Sequence, residues 1–134
     1  MTIGVSTDVK NSALIGIRAL IDGGSAAGMI RVYTSPRPAT GAAITSQTLL
    51  AEIDFNDPSF QDPVSGSMAM NLPLSTTGLA VGTAAWGRIV DSDSNFIIDI
   101  DVGDLLSSAE LKLYTVAITI GGTINVVNGV ISIS

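Results

Sequence analysis

The chain is 134 residues long, with 12 acidic and 6 basic side chains and neither histidine nor cysteine. Nucleophile–base pairs, thiol chemistry and imidazole-based metal sites therefore have almost nothing to be built from. A net charge of −6, with so few and scattered cations, excludes a phosphate-tracking stripe for nucleic acid and repels an anionic membrane surface.

The apolar fraction is 46% but the aromatic fraction only 4%, so the core must be aliphatic. That composition suits β-branched packing between sheets better than an aromatic pocket for bases or sugars. The length matches one domain, 1–134, able to bury about two-thirds of its unfolded surface. No stretch reads as a secretory signal, and the longest apolar runs break well short of the roughly 20 residues of a spanning helix.

In chain order, a helix is expected first, over about residues 8–22. Thr7 or Asp8 can cap it, Leu14, Ile17 and Ile21 recur at helical spacing with Ala13 and Leu20 beside them, and Gly23-Gly24 ends it in left-handed geometry. Gly16 inside it costs about 1 kcal/mol relative to alanine. From Gly28 the period changes to two, and strands are expected over Met29–Tyr33, Leu49–Phe55, Trp86–Val90 and Asn95–Val102. In the last, Phe96, Ile98, Ile100 and Val102 point inward with Ile53 and Phe55 of the second strand, while Asn95, Asp99 and Asp101 point out. Leu111–Ile120 and Ile124–Ile133 form a terminal ribbon turned at Gly121-Gly122.

Between these runs, Ser35-Pro36-Arg37-Pro38 is a loop because prolines cannot donate to a ladder. Asn56–Ser67 is a longer surface loop, and Pro73–Gly78 and Asp91–Asn95 are turns. A helix followed by about seven or eight short strands is the pattern of a mainly β fold, an antiparallel β-sandwich or jelly roll with one N-terminal helix.

Two segments carry a resemblance. ALIGIRALIDGGSAAGMIRVYTSPRPATGAAITSQTLLAEIDFNDPSF, residues 13–60, runs from helix through a glycine break to a strand ending in Tyr-Thr, an Arg-Pro-Ala-Thr-Gly loop, an aliphatic strand and an Asp-Pro-Ser-Phe turn. GTAAWGRIVDSDSNFIIDIDVG, residues 82–103, sets Trp86, Arg88 and an Asp-Ser-Asp turn before a strand ending in Val102-Gly103. Together they resemble small β-sandwich virion proteins of tailed bacteriophages, some of which are capsid cement or decoration proteins. The likeness is one of layout over residues 7–103 and includes no catalytic signature. It implies a virion role and no residue-level chemistry.

Several clusters have both a structural and a functional reading. Asp91-Ser92-Asp93-Ser94-Asn95 opens like an EF-hand calcium loop, but Phe96 stands where the turn glycine is needed and Val102 where the bidentate glutamate belongs. A hairpin turn with local side-chain bonds is the better reading, and no metal is assigned. Asp99, Asp101 and Asp104 read as a solvated acidic row, or as a docking strip for a basic partner. Trp86 and Arg88 share a face, spaced either to cap one end of the core or to anchor an interface through a cation–π pair. Gly23–Gly28 leaves a helix rather than opening one, so it is a connector and not a phosphate cradle.

The expectation is a non-enzymatic phage virion protein: a cement or decoration protein on the outer surface of the head, bridging copies of the major capsid protein. It is expected to form a homo-oligomer, a dimer or trimer. No catalytic residue, cofactor, metal, nucleic acid or membrane is assigned. Partner-binding is assigned to Arg37, Pro38, Trp86 and Arg88. The alternative is a tail, collar or fibre-associated β-sandwich protein contacting another virion component or the host surface. A glycan-binding module would need more aromatic surface than one Trp, two Tyr and three Phe supply.

Overall fold

The computed structural model describes residues 3–133; Met1, Thr2 and Ser134 of the expected domain lie outside the described residues. One helix, α1 (Thr7–Asp22), precedes ten strands: β1 (Met29–Tyr33), β2 (Leu49–Asp54), β3 (Ser67–Ala69), β4 (Ser75–Thr77), β5 (Gly82–Thr83), β6 (Trp86–Val90), β7 (Phe96–Gly103), β8 (Leu111–Leu113), β9 (Ala117–Ile118) and β10 (Thr123–Ser132). The fold is mainly β and sandwich-like. Eight strands form one curled sheet in the order β2-β1-β6-β7-β8-β10-β3, with β4 on β10, and β5 pairs with β9 apart. The Leu79 N–H donates to Leu50 O at 2.8 Å, so the chain after β4 reaches β2 and the curl nearly closes. Covering its edges in this way hides unpaired backbone groups from other chains.

The sheet is mixed rather than wholly antiparallel, because β7 and β8 run parallel over Val102↔Leu111 and Gly103↔Lys112. A parallel ladder normally needs a long crossover. Here it is two residue pairs long, and a tight turn in which Leu106 N–H bonds Asp104 Oδ1 (3.0 Å) and Ser107 Oγ–H bonds Asp104 O (2.7 Å) folds the chain back. The expected terminal ribbon also divides. β8 pairs with β10 from Val126 to Gly129, but Ala117–Ile118 leaves to pair with Gly82–Thr83. Ser75–Thr77, expected as part of a turn, takes its place along Thr123–Asn125.

The core inside the curl is aliphatic, built from Ile30, Val32, Leu50, Ile53, Ile89, Ile100, Leu111 and Leu113 with Phe55 and Phe60. Helix α1 closes it with Leu14 and Ile21. On the same side of the helix, Asn11 Oδ1 accepts Gly66 N–H (2.9 Å), Arg18 Nη1 donates to Phe60 O (3.3 Å), and the Asp22 carboxylate accepts Ser59 N–H (3.2 Å). The loop 59–66 is therefore fastened to the helix at three points a helical face apart. Ser6, not Thr7 or Asp8, is the N-cap, accepting Val9 N–H at 3.2 Å. Gly23 closes the helix at φ −79°, not in left-handed geometry. Ala13 and Leu20 turn to solvent instead of flanking the buried face.

The largest correction lies in β7. Ile53, Phe55 and Ile100 are buried as expected and Ile98 is half-buried, but Phe96 is 41% exposed and Asp99 only 5% exposed. A β-bulge turns Phe96 away from the core, since Val90 pairs with Phe96 whereas Ile89 pairs with Ile98 and Ile97 is an extra residue on β7. Asp99 keeps its expected outer face and is buried there by the loop that carries Arg37 and Gly41. One extra residue moves every side chain beyond it to the other face relative to the partner strand.

Candidate functional site

Beyond the aliphatic core, the outer face of β1, β6 and β7 carries a second, polar cluster. All five residues of β6 are buried, which an alternating strand achieves only if both faces are covered. Gly87 and Ile89 face the core, and Trp86, Arg88 and Val90 face the β1–β2 loop, residues 34–48, which lies over them. Trp86 stacks on Tyr33 with ring centroids 4.8 Å apart and an interplanar angle of 17°, and its Nε1–H donates to Thr34 O at 2.9 Å. Arg88 Cζ sits 5.3 Å from the Trp86 centroid and 5.2 Å from that of Phe96, so the guanidinium lies between two rings.

Arg88 is held on Asp99 by two bonds, Nε to Oδ1 at 2.8 Å and Nη2 to Oδ2 at 3.1 Å. The loop reaches the same carboxylate. Gly41 N–H donates to Asp99 Oδ2 (3.0 Å), Arg37 Nη2 donates to Asp99 O (3.1 Å), and Arg37 Nη1 meets Asp101 Oδ1 at 2.8 Å. Gly41 has φ +73°, and a Cβ there would stand 3.1 Å from the Phe96 ring, so both backbone and space ask for glycine. Burial works to raise the Asp99 pKa, but the Arg88 and Gly41 hydrogen bonds and the Arg88 and Arg37 charges outweigh it and hold the carboxyl below its ordinary value. The Asp99 hydrogen bond raises Arg88 in turn, against burial.

This geometry reassigns the four expected anchors. Trp86 is fully buried and Arg88 almost so; neither offers surface to a partner. Arg37 is exposed, yet its guanidinium is engaged by Asp99 and Asp101 of its own chain, and Pro38 is half-buried beside it. The structure brings all four to one loop–sheet seam, which fastens the loop. All three residues of the expected acidic row are likewise engaged from within: Asp99 and Asp101 by Arg88 and Arg37, and Asp104 by its own turn. The Asp91–Asn95 run is a turn in which Asp91 Oδ1 accepts Asp93 and Asn95 N–H, both at 2.9 Å. Among the described residues no group of three or more acidic side chains converges to hold a metal.

A groove of about 490 Å³ lies along β8 and β10, lined by Ser108, Glu110, Lys112, Asn128 and Ser132 among others. Its groups could hydrogen-bond a small polar molecule, although Glu110 Oε1 is already committed to Asp101 N–H at 2.9 Å.

A different surface stands out by charge. No charged residue lies between Asp62 and Arg88, and none follows Lys112. These two segments are distant in sequence but pair strand on strand: β3 and β4 on β10, β5 on β9. Gly78 N–H donates to Gly122 O (2.9 Å) and Gly121 N–H to Gly78 O (2.8 Å), fastening their turns together. The result is an uncharged region that exposes large apolar side chains: Leu72, Leu79, Val81 (69%), Tyr114 (74%) and Ile120 (72%). Exposed apolar side chains gathered on segments that carry no charge make this region the candidate docking surface. Sequence reading missed it because each run, taken alone, looks like ordinary half-buried strand and turn. The missing charge in both runs was the available signal.

No protein-family model, curated protein or solved structure matches this chain.

Proposed function

We propose that this is a non-enzymatic structural protein of a tailed-bacteriophage particle, a cement or decoration protein that docks on the outer surface of the head and bridges copies of the major capsid protein. The layout of residues 7–103 supports the virion assignment by resemblance. One observation carries the adhesive reading: the two charge-free segments are paired into a single region, with Leu79, Val81 and Ile120 held out on hydrogen-bonded turns. An apolar centre docks without desolvating charge, and the acidic remainder of the molecule stays in water. A contact of about 1,000 Å² per site is enough when a capsid repeats the site many times.

The test is add-back to heads assembled without the protein. These heads should be complete in shape but fragile to heat and osmotic shock, and the purified protein should restore resistance at a fixed ratio to the capsid subunit. Leu79→Asp and Ile120→Asp should fold normally and fail to bind. Finding the protein in a few copies at the tail would overturn the head assignment. Undiminished binding by both variants would overturn the docking surface.

A further inference from the structure

The outer face of β8 and β10 sets a lysine against an asparagine. Leu111 and Leu113 are fully buried in the core, so Lys112 between them projects the other way, into the groove. A β-bulge chooses its partner. Val126 pairs with Leu113 and Asn128 with Lys112, so Val127 is an extra residue on β10. Without that residue Lys112 would face Val127, whose side chain has no reactive group. Bulges re-aim side chains in this way and gather beside active sites.

Glu110 completes the group. It lines the same groove two residues before Lys112, and its backbone O accepts Val130 N–H at 2.9 Å. It is therefore the diagonal neighbour of Asn128 across the ladder. Its Oε1 accepts Asp101 N–H at 2.9 Å, which orients the carboxylate and leaves Oε2 uncommitted. Among the described residues Lys112 has no ion-pair partner. Lys112 and Glu110 are half-buried, and Asn128 is exposed.

We propose that Lys112 and Asn128 join in an intramolecular isopeptide bond, with Glu110 carrying the proton. Directly opposed residues hold their Cβ atoms about 5 Å apart, a gap that the flexible lysine stem can cross to reach Cγ. The lone pair of Lys112 Nζ attacks Asn128 Cγ, and the Cγ–Nδ2 bond breaks with its electron pair going to nitrogen. A proton passes from Nζ through Glu110 Oε2 to Nδ2, so ammonia leaves and a secondary amide remains. No oxidant or reductant enters the balance. Two paired strands hold nucleophile and amide together, which supplies the proximity that this slow reaction requires. The chain contains no cysteine, so a disulfide cannot staple it. The isopeptide bond would bolt β8 to β10 and enclose β9 and the Gly121-Gly122 turn, part of the uncharged region, in a covalent loop.

The test is the intact mass of the full-length protein, followed from fresh preparation through storage. It should fall by one ammonia, and a tryptic digest should give a branched peptide joining Lys112 to Asn128, uncut after Lys112. Formation should quicken from neutral to mildly alkaline pH, because only a neutral amine attacks. Lys112→Arg and Asn128→Ala should each keep the full sequence mass, with unchanged circular dichroism. Glu110→Gln should form the bond at least about tenfold more slowly, and undiminished formation there would overturn its role. Attack on Asn128 by the Gly129 backbone nitrogen would also release ammonia, leaving a succinimide that hydroxylamine cleaves. That product would persist in Lys112→Arg. A mass loss retained in Lys112→Arg, or a parent that keeps its full mass throughout, would overturn the proposal. Failure of head binding would not, because the bond forms in the isolated protein.

Discussion

Arg88 faces Asp99 across β6 and β7 because Ile97 is an extra residue on β7. Counting back from the Asp91–Asn95 turn without that bulge would set Arg88 against Ile98 and bury no ion pair. With it, Arg88 pairs with Asp99 and Trp86 with Asp101, while Phe96 turns to the Arg88 side and stacks on the guanidinium at 5.2 Å. A single backbone irregularity thus converts an outward acidic strand face into the anchor of the β1–β2 loop.

That anchor should be sensitive to losing either member and insensitive to losing both. Asp99→Asn leaves the buried Arg88 charge uncompensated and should lower unfolding free energy by about 3–5 kcal/mol. The double variant Arg88→Met with Asp99→Leu removes both charges and should recover most of that loss, because apolar replacement of a buried pair is often neutral. Urea denaturation of the three proteins is the measurement. A double variant as unstable as Asp99→Asn would show that the Gly41 N–H bond to the Asp99 carboxylate, rather than the pair, carries the stability.

The pH dependence follows from the depressed Asp99 pKa. An unfolded aspartate takes up its proton near pH 4, whereas folded Asp99 is still ionised there. Between the two values the unfolded state binds more protons, so stability is fully present above about pH 5 and is lost as pH falls through the folded value. Asp91 adds to the same trend, since the Asn95 backbone N–H and then its side chain hold it below its ordinary value. The melting temperature should be flat from pH 7 to 5 and fall below that. Asp99→Asn should give a shallower acid limb, and an unaltered limb would remove Asp99 from the account.

Much of this architecture is legible in the sequence where one periodicity rules. Helix α1, β1, β2 and β6 fall close to where their spacing puts them, since apolar residues recur there without interruption. Legibility ends where a tertiary event overrides the local pattern. The bulge at Ile97 shows in FIIDID only as a break in alternation, which does not say that the register against β6 shifts there. The parallel pairing of Leu111–Leu113 with β7 joins segments too close for the usual crossover. The uncharged region was hidden for another reason: it exists only after two separate runs pair, and nothing in either run names the other.

Burial separates the remaining side chains clearly. Ile100→Ala should cost about 2–5 kcal/mol and Trp86→Ala about 3–5 kcal/mol, because both are enclosed. Ile98→Ala, at a half-buried position, should fall below Ile100→Ala. Equilibrium unfolding of the set checks the order, and a cost for Ile98 exceeding that for Ile100 would mean that Ile98 is the more enclosed of the two.

The loop itself can be followed through the single tryptophan. Trp86 is fully buried beneath residues 34–48 and bonded to Thr34 O, so its emission should be blue-shifted and poorly quenched by iodide. Gly41→Val sets a β-branched side chain at φ +73° and against the Phe96 ring, a conformation costing about 1–3 kcal/mol. The loop's attachment is local, while Trp86 also stacks on Tyr33 within the sheet. The variant should therefore lift the loop without unfolding the core: emission shifts to the red and iodide quenching rises, with little change in far-ultraviolet circular dichroism. Arg37→Ala should do the same more weakly, because it loses one exposed ion pair to Asp101 and one bond to Asp99 O. An unshifted spectrum in Gly41→Val would mean that the rings and the Arg88–Asp99 pair shield Trp86 by themselves, with the loop as a passive cover.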